Sequence, residues 1–175
     1  PLSAESPRSA VMDVSHLGPS LRLAARVLSP ATRPDEESSL YQDTIARVVS
    51  VWRCSSGKQF PLLWGARPRS QATALYAAAR EIAAEDKVTG VLDICCPVLA
   101  AGCSSPAQLE ASLNQFLVEA RQTNGPLLVL REVDCLLASR TAAAILLDAV
   151  GNWGVQIIGG TGDHKALVRL GTCHP

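Results

Sequence analysis

The chain has 175 residues, enough for one domain with a substantial core. Its apolar share of 47% and charged share of 18% exclude a chain too polar to fold. Sixteen basic residues balance 16 acidic ones, so no overall field draws the protein to nucleic acid or to an anionic membrane. No apolar run approaches the roughly 20 residues that a membrane span needs, and the start carries no secretory-signal pattern. Aromatic residues make up only 4%, so the core must be built from Leu, Val, Ile and Ala.

Residues 1–37 are rich in Ser, Pro, Ala and Arg and read as an N-terminal tail and linker. Within them, residues 1–12 read as a frayed tail with Met12 a candidate start, Leu17–Leu28 as a short amphipathic helix, and Ser29–Glu37 as the linker. From residue 38 to 175 the pattern is that of one α/β domain. Leu40, Ile45, Val48, Val49 and Trp52 form the apolar stripe of a helix, with Asp35–Ser39 supplying capping groups. Gly57 and Pro61 punctuate its exit. Leu62–Trp64 predicts a strand, Ser70–Ala84 a helix and Val91–Cys96 a second strand.

Pro106–Gln122 predicts a helix with Ser105 as N-cap, Pro106 at the first helical position and Gln108 completing a capping box. Its stripe is Leu109, Leu113, Phe116, Leu117 and Ala120. Asn124-Gly125 ends it. Leu127–Arg131 predicts a third strand, Ser139–Val150 a helix and Val155–Gly159 a fourth strand. Strands that are apolar throughout, separated by helices, predict a three-layer α/β/α sandwich with a mainly parallel sheet.

The six cysteines are Cys54, Cys95, Cys96, Cys103, Cys135 and Cys173. They form no C-x-x-C pair, and neighbours such as Cys95 and Cys96 would point to opposite faces of a strand, which is poor spacing for metal ligands. Buried, reduced thiols in a cytoplasmic protein are the expectation; a zinc site using Cys173 and His174 is the alternative. Trp52, Trp64 and Trp153 are scattered and read as packing residues, not as a base-stacking platform. His164 reads as a surface residue in a turn, and Asp93 and Asp134 as structural or exposed. No Ser, His and Asp pattern suggests a nucleophilic triad.

The most informative stretch is 61–84. It has the layout of a phosphate-binding loop, a strand running into a loop and then a helix, with the chemistry removed. A working loop reads G-x-x-x-x-G-K-[ST]. Gly65 keeps the first glycine. Ser70 stands at the second glycine, Gln71 at the lysine and Ala72 at the magnesium-binding hydroxyl. Losing the lysine removes a positive charge from the phosphates, and Ala72 has no oxygen for a metal. Arg67 and Arg69 could replace some of that charge, and the helix N-terminus would still favour an anion; solvated arginines on an ordinary strand-to-helix loop are the simpler expectation.

From about Tyr41 to Leu170 the chain resembles the first ATPase module of the Clp-type AAA+ protein unfoldases. Residues 41–52 resemble that family's R-D-E-E-I-x-R-V-I-x-I-L helix. Residues 91–102 resemble V-L-x-L-D-x-x-x-L-x-A-G, and the helix from Gln108 to Ala120 resembles E-F-E-x-R-L-x-x-V-L-x-E-A. Residues 127–137 resemble I-L-F-I-D-E-x-H-x-L, and 155–162 resemble V-R-x-I-G-A-T-T. The resemblance implies a P-loop fold of the AAA+ type, without a lid subdomain.

The departures carry the functional expectation. Arg131 stands where the resemblance places a magnesium-organising aspartate. Glu132 keeps the place of the glutamate that polarises water and is expected to pair with Arg131. Gly162 takes the place of a polar sensor side chain. Cys103-Ser104-Ser105 lacks the pore-loop aromatic. Phosphoryl transfer depends on positioning and charge stabilisation, and nearly every group supplying them is altered. The expectation is therefore a pseudo-ATPase module, with no catalytic residue, metal or cofactor, that acts as a protein-interaction scaffold or adaptor. Its partner would be an AAA+ assembly, a second copy or an unrelated protein. The degenerate nucleotide site would comprise Gly65, Arg67, Arg69, Ser70, Gln71, Ala72, Arg131, Glu132 and Gly162. The alternatives are a regulatory domain that binds ATP or ADP without cleaving it, and a subunit of a composite AAA+ ATPase.

Overall fold

The computed structural model describes residues 25–28, 40–55, 59–65, 67–85, 88, 90–122, 125–165 and 167–168. The frayed tail and Met12, the linker, the capping groups at 35–39, Gly57, Asn124 and the Cys173–His174 site lie outside these residues.

The elements are β1 (Ala25–Val27), α1 (Gln42–Ser55), β2 (Leu62–Trp64), α2 (Pro68–Glu85), β3 (Val91–Cys95), α3 (Cys96–Ala101), α4 (Pro106–Gln122), β4 (Leu127–Arg131), α5 (Asp134–Leu137), α6 (Arg140–Gly151) and β5 (Gln156–Thr161). The strands form one sheet in the order β1-β3-β4-β5-β2. β3, β4, β5 and β2 are mutually parallel. β1 is antiparallel to β3, with Arg26 opposite Asp93.

The sheet is apolar on both faces because both are covered. Along β4, Leu128 and Leu130 enter one cluster with Leu113, Phe116 and Leu117 of α4 and Ala142, Ala143 and Leu146 of α6. Leu127 and Val129 alternate to the other face, where they meet Val49 and Trp52 of α1 and Ala74, Leu75, Ala78 and Ala79 of α2. Alternation along one strand thus feeds two cores. Each fully buried leucine among these contributes about 1.5–3 kcal/mol. The alanines of α2 leave little bulk between helix and sheet, and Ala78 and Ala79 are wholly buried.

The expected stripes hold. Ile45, Val48, Val49 and Trp52 are the buried face of α1. Leu40 is not part of it: it precedes the helix and is 77% exposed. In α4 the Ser105 hydroxyl accepts from the Gln108 N–H at 3.2 Å. The Gln108 side chain reaches one residue further back than a capping box requires, accepting from the Ser104 N–H at 2.7 Å and hydroxyl at 2.8 Å. Ser139 caps α6, its hydroxyl accepting from the Ala142 N–H at 3.3 Å.

Four local expectations change. Residues 25–27, expected in a helix, form the edge strand β1, and the Leu28 N–H extends the pairing to the Val91 carbonyl at 3.0 Å. The apolar edge of β3 outweighs the local helical pattern, so the sheet draws a strand from the segment read as tail. β3 stops at Cys95 because Pro97 has no N–H for a ladder but suits a helix's first turn, so Cys96 opens α3. The thiols are not uniformly buried: Cys96 is, Cys54 is exposed, and Cys95, Cys103 and Cys135 are intermediate. Of the tryptophans, Trp52 is buried, whereas Trp64 is 55% exposed with its ring edge-on to His164 at 5.5 Å.

Candidate functional site

The crossover from β2 through α2 to β3 covers one face of the sheet. Those from β3 to β4 and from β4 to β5 cover the other. Such a reversal opens a crevice outside the carboxyl ends of parallel strands, where α/β proteins place ligands. Here that position holds a cleft of about 250 Å³, lined by Arg69, Gln71 and Ala72 of α2, by Arg131 and Glu132 at the end of β4, and by Gly160 of β5.

The connection from β2 to α2 is shorter than the sequence suggests. β2 ends at Trp64 and α2 already begins at Pro68. Pro68 sits well at a helix start, and the Gln71 N–H donates to the Arg67 carbonyl at 3.1 Å, closing the first helical turn. Ser70, Gln71 and Ala72, expected at or beside the loop, therefore lie within the helix.

The side chains of that first stretch are committed. The Ser70 hydroxyl accepts from Tyr41 at 3.0 Å, tying the residue just before α1 to α2. Gln71 is buried, and its amide nitrogen donates to the Thr161 carbonyl at 2.7 Å and to the Gly65 carbonyl. It stitches the ends of β2 and β5 from below. Gly160 makes room for it: a Cβ there would meet Gln71 Oε1 and Leu75 Cδ1, each at 3.0 Å. Arg67 and Arg69 are exposed.

Arg131 does not pair with Glu132. Its Nε donates to Asp93 Oδ1 at 2.7 Å, and the Asp93 side chain is only 2% exposed. Burial alone would favour a neutral guanidine, but the Asp93 carboxylate outweighs it and raises Arg131 above its ordinary value. Tyr76 of α2 belongs to the same cluster. Burial first, and then the negative charge of Asp93, push its phenol up to about 12. Glu132 adopts φ 54, the left-handed region. That conformation costs a non-glycine residue about 1 kcal/mol. It lets β4 veer so that the Val133 N–H reaches the Gly160 carbonyl at 3.0 Å.

Beyond it, Asp134 acts as a knot. Its carboxylate accepts from the Thr161 hydroxyl, from the Asp163 N–H at 3.0 Å and from the Gly162 N–H at 3.3 Å. Burial pushes its carboxyl up, but these donors prevail and hold it below the usual carboxylate range. Gly162 thus contributes a backbone amide to this knot. The stretch Cys103-Ser104-Ser105 lines a separate groove of about 550 Å³, with Leu109 and Cys135.

The structure brings Arg69, Gln71, Ala72, Arg131 and Glu132 to one cleft, and Gly65, outside its lining, is bound to Gln71. It does not bring Ser70 or Arg67 to the lining. Sequence reasoning read Asp93 as structural or exposed without naming its partner, and missed Tyr76 and Thr161. One signal was available: an aspartate inside an otherwise apolar strand, Val-Leu-Asp-Ile, demands a buried partner. Among the described residues no group of three or more His, Cys, Asp and Glu side chains could hold a metal ion, and no helix is long and apolar enough to cross a membrane. Compared with models of known protein families, the chain matches none, and no curated protein matches it.

Proposed function

We propose that this chain is a pseudo-ATPase module of the P-loop, AAA+-like type, a three-layer α/β/α domain that no longer hydrolyses nucleotide and acts by binding another protein. The observation that carries this reading is the fate of the groups around the cleft. Gln71 is spent on two backbone carbonyls, Ala72 offers no oxygen, and Arg131 is turned onto Asp93. A cation fixed at the end of β4 opposes a metal there, and Glu132 has no polarised water to act on. The scaffold around these groups keeps two well-packed faces. A fold retained without its chemistry serves most simply as an interaction surface in the cytoplasm.

The test is calorimetric titration of the purified protein with ATP and with ADP, with and without magnesium. The reading expects no heat and no thermal shift at millimolar nucleotide, and capture of a protein partner or of a second copy by chemical crosslinking. Micromolar nucleotide binding would replace it with the regulatory-domain reading, for which the exposed Arg67 and Arg69 at the start of α2 are the supporting feature. Turnover in an assembled complex that Glu132→Gln abolishes would replace it with the composite-ATPase reading.

A further inference from the structure

The interaction reading leaves the partner's chemistry open, and the cleft narrows it. Asp93 engages only the Nε of Arg131. The pair therefore fixes the guanidinium while leaving its two terminal amino groups without a partner among the described residues. Arg131 lines the cleft from the end of β4, and Arg69 lines it from α2. The first turn of α2 contains no acidic residue. It carries Arg69, and Arg67 immediately precedes it, at the helix end where a cation is disfavoured and an anion favoured. Neither arginine has an ion-pair partner among the described residues. A buried carboxylate that orients a guanidinium about one-third exposed, beside a helix start whose two arginines have no ion-pair partner among the described residues, is an arrangement that a bound anion completes.

We propose that this cleft receives carboxylates from an acidic segment of a protein partner. This rests on the interaction reading and names the partner's chemistry. A planar carboxylate matches the free edge of a guanidinium, which donates two parallel hydrogen bonds. The cleft, at about 250 Å³, lies below the size of ordinary small-molecule sites, about 300–1,000 Å³, but holds a side-chain carboxylate. Glu132 on the wall opposes a multiply charged phosphate more strongly than a singly charged carboxylate. Arg67 and Arg69 are both exposed at this helix start, so positive charge continues from the cleft onto the surface beside it.

The test titrates the folded protein with a hexaglutamate peptide, with hexalysine as control, and follows the arginine Nε–H resonances by NMR. Hexaglutamate should bind, shift the Arg131 signal, and lose affinity by about tenfold in Arg69→Gln. Arg69 is exposed, so this variant should fold. Arg131→Lys keeps the charge beside Asp93 but removes the free edge, and should weaken binding similarly. Arg47→Gln, on the exposed face of α1, should bind as the parent does. Silence at millimolar hexaglutamate would overturn the proposal, as would equal weakening by Arg47→Gln and Arg69→Gln. If the nucleotide titration is also silent, the scaffold reading survives that loss. Arg69-dependent binding of ATP or inorganic phosphate tighter than that of the peptide would overturn the proposal by making this a phosphate site. With ATP it would also overturn the scaffold reading.

Discussion

Asp93 Oδ1 accepts from Arg131 Nε at 2.7 Å, joining neighbouring strands on the face beneath α2. The aspartate is almost wholly buried and the arginine about one-third exposed at its side chain. The pair therefore ties a group inside the sheet to one at the cleft.

Removing only the cation should be costly. Arg131→Ala leaves a buried carboxylate without its counter-ion, and a loss of about 3 kcal/mol is expected. Replacing both partners, as Asp93→Val with Arg131→Leu, should recover most of that. Urea denaturation of the two single variants and the double variant forms a cycle that measures the coupling. Equal, additive losses would show that the pair does not act as a unit.

Gln71 is expected to be a strand staple. Gln71→Ala removes two bonds to the Gly65 and Thr161 carbonyls; the Thr161 carbonyl keeps the Gly65 N–H at 3.2 Å, but the Gly65 carbonyl loses its donor, and the change should cost about 1–3 kcal/mol. Hydrogen exchange should accelerate at the ends of β2 and β5 more than in β3. Uniform acceleration would mean the staple is not local.

Much of this fold is readable in the sequence because its helices carry clean stripes and its strands are short apolar runs. α4 and β4 fall where the pattern puts them, since Ser105, Pro106 and the 109–120 stripe agree at every level. β1 is different: three residues carry too little local signal, and their strand state comes from pairing with β3. The site is only half legible. Gly65, Gln71, Ala72 and Arg131 could be aligned with a motif, but the motif says nothing of Pro68 starting the helix early. Nor could adjacency in sequence reveal that Arg131 would choose Asp93 over Glu132. That choice depends on strand alternation, which puts Arg131 on the face shared with Asp93.

The Asp134 knot predicts a pH effect. Its folded carboxyl lies below its unfolded value, so its stabilisation is full above the ordinary carboxylate range, about pH 4, and is lost as pH falls through the depressed value. Asp134→Asn should lower stability at neutral pH by about 1 kcal/mol, the usual cost of losing a capping group. Its melting temperature should converge on that of the parent in acid. A gap that is constant from neutral pH into acid would argue that the carboxylate charge is not what holds 161–163.

Thiol chemistry offers a direct check on packing. Cys54 is exposed and should react first among the described thiols with an aromatic disulfide reagent. Cys96 should react only on unfolding, because burial pushes its thiol well above its ordinary value. Cys135, pushed up to about 11 chiefly by burial, should lag behind Cys54 at neutral pH. Mass spectrometry of partly labelled protein gives the order, and early labelling of Cys96 would contradict the packing of α3 against the sheet.

β1 has a practical consequence for anyone shortening this protein. A chain begun at residue 38 would keep every helix and all four parallel strands among the described residues, yet leave one side of Val91–Cys95 bare. That strand is apolar and nearly all buried, and an uncovered flank of this kind recruits other chains. Such a fragment would fail by clumping, not by unfolding, and its poor behaviour would be easily mistaken for the self-association that an interaction module invites one to look for.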